Sequence, residues 1–407
     1  MNSASPKPAS GFPGWVVLLG ALTASGPLSI DMYLPSFSAI QQGLQAKGGA
    51  VELTLVSFFI GLTFGQLIYG PLSDRFGRKP PLYVGFVLYL IGSVGCYMAD
   101  SVTALTIWRL VQALGACAGM VIPRAIVRDR AAPADAARIF SMLMLVMGLA
   151  PILAPLFGGF VLNMFGWRAI FIALTIFGAL CLLAIHFQLN ESHDIQHEPP
   201  LQFKVVARNY LNLFESKTFV GYTLAGGLAI AGMFAYVAGS PFVVTTLYGV
   251  SPAHFGWVFG FNAIGLIGAS QLNVWQLKKY APAVLLRNAL WVSALAGIGL
   301  FALEIFYRHH GLPPFALVLA GLFLYVASIG YVSPNASASA LAAHGEHAGT
   351  ASALMGALQF GLGTLAGIAI GVLHDETALP LSLVLAVCGT GAWLSYYLMV
   401  HKPVHKL

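Results

Sequence analysis

Twelve separate stretches of about twenty mostly apolar residues constrain this chain more than any other feature. They lie near 14–41, 53–72, 81–99, 102–123, 139–163 and 168–188, and again near 218–247, 253–277, 284–307, 314–342, 348–373 and 378–400. At about 1.5 Å of rise per helical residue, each is long enough to cross a hydrocarbon layer about 30 Å thick. Of the 407 residues only 8% are charged and 58% are apolar, against about 25% charged in a soluble domain. One aqueous core cannot hide so much apolar side chain, so lipid is the remaining solvent. Backbone groups in lipid must be satisfied within the segment, and the expectation is an all-α membrane protein of twelve transmembrane helices.

Lys7, the apolar run Trp15–Leu22 and the small residues Ala21–Ala24 imitate a signal peptide. The run continues toward Tyr33, however, and the stretch reads as the first span. Cys96, Cys117, Cys181 and Cys388 sit singly in apolar segments, a pattern that supports neither a disulfide framework nor a zinc site. No metal site is expected.

With twelve spans, both termini and the even-numbered connections share one side. That side carries sixteen of the twenty Lys and Arg residues, the other side three (Lys47, Arg168, Arg308), and Arg109 falls inside a span. The bias predicts cytoplasmic termini in a bacterial inner (plasma) membrane protein. It also accounts for the net charge of +6 without any nucleic-acid partner.

The longest hydrophilic stretch divides the chain into two six-helix halves. The expected layout is a cytoplasmic tail (1–13), a first half (14–189), a cytoplasmic linker (190–216), a second half (217–401) and a second tail (402–407). Within the linker, Leu201–Phe214 is expected to lie on the membrane surface as an amphipathic helix. The halves echo each other. Met32-Tyr33-Leu34-Pro35-Ser36-Phe37 in span 1 resembles Ala235-Tyr236 and Ser240-Pro241-Phe242 in span 7, and Pro123 and Pro334 recur late in spans 4 and 10. Interruptions at matching places in repeated halves point to a site between them, although packing alone also uses such prolines.

Ionisable residues inside spans are costly and become functional candidates. Asp31 lies deep in span 1 and Arg109 in span 4, both about 10–15 Å below the far surface by helical rise. They are expected to pair, with Asp31 loading and releasing a proton under the influence of Arg109; a static structural pair is the alternative. Glu52 opens span 2 and Glu304 closes span 9.

Between spans 2 and 3 stands Gly70-Pro71-Leu72-Ser73-Asp74-Arg75-Phe76-Gly77-Arg78-Lys79. It resembles the loop signature G-x-x-x-D-[RK]-x-G-[RK]-[RK] of the major facilitator superfamily in all defining positions. By that resemblance Gly70, Asp74, Arg75, Gly77 and Arg78 form a conformational latch against span 11, with Asp129 as counter-charge for Arg75 or Arg78. Trp108 to Gly115 resembles the family's R-x-x-Q-G motif, with Ala113 in place of glycine. Gly148, Pro151, Pro155, Gly158 and Gly159 in span 5 look like the antiporter motif, with Ala154 where glycine is expected.

Ser29 to Pro35, Arg124 to Asp129 and Gly349 to Leu354 resemble the branch of bicyclomycin and chloramphenicol resistance exporters. The resemblance implies the two-half major facilitator fold and drug:proton exchange by alternating access, with Asp31 as the coupling acid and Arg109 as its regulator. Tyr33, Gln112, Tyr236, Phe242, Phe261, Asn262, Asn335 and Gln359, with Trp257 and Phe360, are candidate cavity wall, each equally compatible with ordinary packing. His344 and His347 are a poor metal site without a third ligand. No Walker-type sequence occurs, so the proton gradient rather than ATP is the expected energy source, with no cofactor. The expected partners are small-molecule cargo, protons and the bilayer, and the expected state is a monomer. An exporter of a metabolite, such as an amino acid or sugar, is the nearest rival; an intramembrane enzyme would need a catalytic dyad or metal cluster that the spans lack.

Overall fold

The computed structural model describes residues 14–47, 49–130, 133–192, 203–342 and 348–400. Both expected tails, residues 193–202 of the linker and the segment with His344 and His347 lie outside the described residues. The first half comprises α1 (Gly14–Asp31), α2 (Phe37–Gly43), α3 (Ala50–Phe76), α4 (Lys79–Met98), α5 (Val102–Arg130), α6 (Pro133–Phe165) and α7 (Arg168–Gln188). The linker helix α8 (Phe203–Glu215) follows. The second half comprises α9 (Lys217–Pro241), α10 (Pro252–Gln276), α11 (Pro282–Tyr307), α12 (Phe315–Ala342), α13 (Ala348–Val372) and α14 (Leu379–Met399). Counting α1 with α2 as one crossing, eleven helices among the described residues are long and apolar enough to span a membrane. The apolar stretch Leu149–Phe165 within α6 supplies the twelfth.

Span 1 is not one continuous helix. α1 stops at Asp31, and a 3₁₀ turn over Leu34–Ser36 leads into α2. Pro35 has no N–H to donate, and the residue before a proline is pushed away from helical geometry. The echo in span 7 breaks as well: α9 ends at Pro241 and a π-helical turn covers Phe242–Leu247.

Two long seams join the halves, α3 against α13 and α6 against α10. Small residues bring the backbones together. A β-carbon on Gly256 would stand 2.9 Å from the Leu156 nitrogen, and one on Gly367 2.8 Å from Val56. At the end opposite the Gly70–Lys79 loop, hereafter the far end, the halves are knit shut. The Ser38 and Thr245 hydroxyls lie 3.3 Å apart across the halves. Gly49, at φ +79°, lets its loop press on the Gly371 carbonyl. Deeper, Phe59 of α3 meets Phe234 of α9 at 4.5 Å, and Phe234 stacks on Phe360 at 5.3 Å.

At the loop end, here called the basic end, the halves part. A β-carbon on Gly70 would meet nothing within 4 Å, and the Asp74 side chain is 58% exposed. The space between the halves therefore opens toward the basic end. The linker helix α8 docks on the second half, where Leu213 joins Phe219, Ala351 and Met355 in a small core. Leu211 and Phe214 on its other side stay exposed, as an amphipathic surface helix requires.

Candidate functional site

Asp31 is buried and ends α1 where span 1 breaks. Ser29 and Asp31 stand two residues apart, about 200° around a helix, so they look in opposite directions. Ser29 looks into the first half: its hydroxyl meets the Tyr89 hydroxyl at 2.8 Å. Asp31 lies on the opposite side and leads into the 3₁₀ turn, which packs on α9 and α10 of the second half.

This geometry corrects the expected pairing of Asp31 with Arg109, for no ion pair joins them among the described residues. Arg109 is fully buried and lies on the Ser29 side. Its Nη1 donates to the Ser29 carbonyl at 3.0 Å and to Gln112 Oε1 at 2.7 Å, and Gln112 Nε2 donates to Ser93 Oγ at 2.8 Å. The guanidinium packs over the rings of Phe58 and Tyr33, at 4.3 and 4.5 Å from their centroids. Because α1 ends at Asp31, the Ser29 carbonyl belongs to its last turn, where carbonyls lose their helical partners and a cation is favourable. Arg109 thus caps the broken helix while the aromatic faces share its charge.

The span-5 motif lies beside the same break. Pro151 and Pro155 sit inside α6, which stays helical through both. Gly158 presses directly on the Met32 backbone, where any β-carbon would overlap the carbonyl, and Leu156 meets Gly256 of the second half. Gly148 and Gly159 belong to the same helix. The motif is the point at which α6 touches both the broken span and the opposite half.

At the basic end, Arg78 organises the loop. Its Nε donates to Asp129 at 2.7 Å, its Nη2 to the other Asp129 oxygen at 3.2 Å, and its Nη1 to Asp74 at 2.5 Å and Ser73 at 3.1 Å. Burial works against the charge of Arg78, but the bonds to Asp129 and Asp74 outweigh it and raise the guanidinium above its ordinary pKa. Asp129 therefore serves Arg78, and Arg75 forms no ion pair among the described residues.

The sequence pattern of the Major Facilitator Superfamily matches residues 19–368, reaching from α1 into α13. This chain belongs to that superfamily. An uncharacterized MFS-type transporter of Bacillus subtilis (strain 168) is 35% identical over 393 residues, covering 95% of each chain. A bicyclomycin resistance protein homolog of Haemophilus influenzae is 33% identical over 388 residues, covering 95% of this chain and 96% of its own. Among solved structures, a peptide transporter in complex with sulfate superposes with a TM-score of 0.77 at 14% identity, covering 98% of this chain and 96% of its own. At that identity the likeness speaks for the fold alone.

As a major facilitator transporter, the chain distributes the cavity-wall candidates unequally. Tyr236 and Gln359 lie on α9 and α13, the second-half helices that meet α3 and, for α9, the 3₁₀ turn of span 1. Asn262 donates to the Tyr236 hydroxyl at 2.9 Å. The others are placed elsewhere. Tyr33 is fully buried in the first half, bonded to Thr54 at 2.6 Å under Arg109. Gln112 is spent on Arg109 and Ser93. Asn335 bridges α12 and α10 through Asn273 at 2.7 Å. Phe242 packs on His374 of its own half, with ring centroids 4.6 Å apart.

Phe261 is exposed on one stripe with Trp257 and Ile264, at spacings of four and three. That stripe lies about half a turn from Phe259 and Ala263, which are buried, and the Phe261 ring packs on Phe323 of α12 at 4.8 Å. Aromatic character alone does not distinguish a cavity wall from a lipid face.

Glu191, just beyond α7, was not among the expected site residues. Its carboxylate accepts the backbone N–H of Arg78 at 2.8 Å and of Lys79 at 3.0 Å, capping the start of α4. Gly77, at φ +86°, makes room for it: a β-carbon there would stand 2.6 Å from the Glu191 carboxylate. Only the glycine itself hinted at this contact, since the carboxylate arrives from 114 residues further along the chain.

Proposed function

We propose that this transporter is a proton-coupled exporter of small amphipathic compounds, neutral or cationic, working by alternating access as a single copy with both termini in the cytoplasm of a bacterial inner membrane. The observation that carries the reading is Asp31: a buried carboxylate without an ion pair among the described residues, set at the break of span 1 beside the turn that packs on the opposite half. A carboxylate so placed is costly to keep charged and gains or loses its proton as solvent access changes. With the basic end taken as cytoplasmic by its excess of Lys and Arg, the described state faces inward. Cargo enters from that side as Asp31 gives up its proton, the halves rock about the α3–α13 and α6–α10 seams, and protons from outside reload Asp31 as cargo leaves.

The proton gradient supplies the energy, with no cofactor and no ATP. Moving one charge across the membrane is worth about 2.3 kcal/mol per 100 mV. Export of drugs is supported by the relative named for bicyclomycin resistance, and the acid at the break of span 1 disfavours polyanions.

The test is efflux from proteoliposomes under an imposed pH gradient, with ethidium and chloramphenicol as probes, for wild type and Asp31→Asn. The wild type should concentrate at least one probe against its gradient, and the Asn variant should only equilibrate it. An Asn variant that still concentrates cargo removes Asp31 from the coupling step.

A further inference from the structure

α3 and α4 follow each other in the chain, yet each packs on α5 rather than on the other. Glycines make this close approach: a β-carbon on Gly65 of α3 would stand 2.6 Å from Cys117, and one on Gly85 of α4 would overlap Ala118. At the basic end a groove of about 450 Å³ remains between the two helices. Its walls are Ile68, Leu72 and Phe76 of α3 with Val84 and Leu88 of α4, and Leu114 of α5 forms the floor. Among the described residues no charged side chain lines it.

The groove looks away from the opposite half. α3 meets α13 through Thr63 and Gln66, whereas Ile68 and Leu72 lie about half a turn round the helix from them. Ile68, Phe76 and Val84 stay exposed, so this face belongs to the bilayer and not to the space between the halves. One cation stands at its mouth. Ile68, Leu72 and Arg75 follow at spacings of four and three, a single stripe of α3 that ends on the guanidinium. Arg75 is half-buried in the last turn of α3 and makes neither an ion pair nor a hydrogen bond among the described residues. The charges around it are engaged. Asp74 and Asp129 are held by Arg78, Glu191 accepts from the backbone of Arg78 and Lys79, and Lys79 Nζ donates to the His186 carbonyl.

We propose that this groove binds an anionic phospholipid, with one acyl chain between α3 and α4 and the phosphate on Arg75. The site is separate from Asp31 and stands whether or not that residue couples protons. A tail lying in the groove covers apolar surface that neither helix covers for the other. The guanidinium fork matches a phosphate, and a cation at the membrane surface draws anionic headgroups. A choline lipid offers the same tail and phosphate, but its ammonium offsets the attraction, so the preference lies in net charge.

The experiment reconstitutes the full chain in phosphatidylcholine vesicles containing a trace of phosphatidylglycerol or phosphatidylcholine with a diazirine on one acyl chain. After illumination, the labelled peptides are mapped by mass spectrometry. The exposed stripe of Ile176, Leu180 and Leu183 on α7 serves as a reference for lipid that merely surrounds the protein. The glycerol lipid should label residues 65–88 about fivefold more than the choline lipid, the worth of one surface cation, and the two should label the α7 stripe alike. Arg75→Gln should remove the preference and leave choline labelling of the groove in place. Val84→Trp, at a lipid-exposed position, fills the groove and should lower its labelling by both lipids. Equal labelling of the groove by both lipids in the wild type, or a preference that survives Arg75→Gln, overturns the headgroup site. Labelling of the groove that Val84→Trp leaves unchanged overturns the seat of the acyl chain.

Discussion

Gly158 of α6 lies against the carbonyl oxygen of Met32, in backbone contact too close for any side chain between them. The contact holds α6 to the break that carries Asp31, so enlarging Gly158 should deform the break before it disturbs anything else. Gly158→Val is expected to cost about 1–3 kcal/mol of stability and to remove transport. Gly166→Val, in the short connection after α6, replaces a glycine whose β-carbon would meet nothing within 4 Å; there the loss should come from the positive φ of 80° alone and should spare transport. Thermal denaturation and dye efflux of the two variants check the contrast.

The closed far end offers a second test. Ser38 and Thr245 face each other across the halves, with their hydroxyls 3.3 Å apart. All four native cysteines are buried, so a Ser38→Cys/Thr245→Cys pair can be oxidised without removing them. Oxidation should trap the state open to the basic end and stop transport, and a reductant should restore it. Full activity with the cross-link in place would mean that the far end need not open.

Arg78 ties two carboxylates from different helices, and the two substitutions available to it should differ. Arg78→Lys keeps the charge but loses the fork that spans both Asp129 oxygens. Arg78→Ala strands Asp129 and should cost about 3 kcal/mol. The expected order of melting temperature is wild type, Lys, Ala. A Lys variant equal to wild type would show that charge alone suffices there.

The cap on α4 predicts a coupled pair. Glu191→Ala should lose about 1 kcal/mol, the usual worth of a helix cap. Gly77→Ala should lose more, because it combines positive φ with collision against the carboxylate. In the double variant the collision disappears, so the combined loss should fall short of the sum of the singles. A strictly additive pair in a denaturation series would place the cost of Gly77→Ala in its backbone alone.

The superfamily and the positions of the membrane spans were legible in the sequence, because apolar length needs no knowledge of partners. The break in span 1 was foreshadowed by Pro35, and the choice of Arg78 as Asp129's partner was one of two offered. The relation of Asp31 to Arg109 was not legible. Depth along two helices was estimated from helical rise, but facing depends on rotation about each axis, and Ser29 rather than Asp31 looks at α5. The same blindness to rotation set Tyr33 among cavity candidates, since an aromatic ring suits a packed core or a binding wall equally well. Glu191 was hidden for another reason: its acceptors are backbone amides, which every sequence has and no sequence advertises.

The linker is fastened at both ends, and to different bodies. Glu191 grips the first half through the start of α4, while Leu213 of α8 is sunk into the second. Rocking of one half on the other must change the span between these two anchors, which makes the connection a natural caliper. Probes set beside Glu191 and Leu213 would report the stage of the cycle from the aqueous side without touching the passage that the cargo uses.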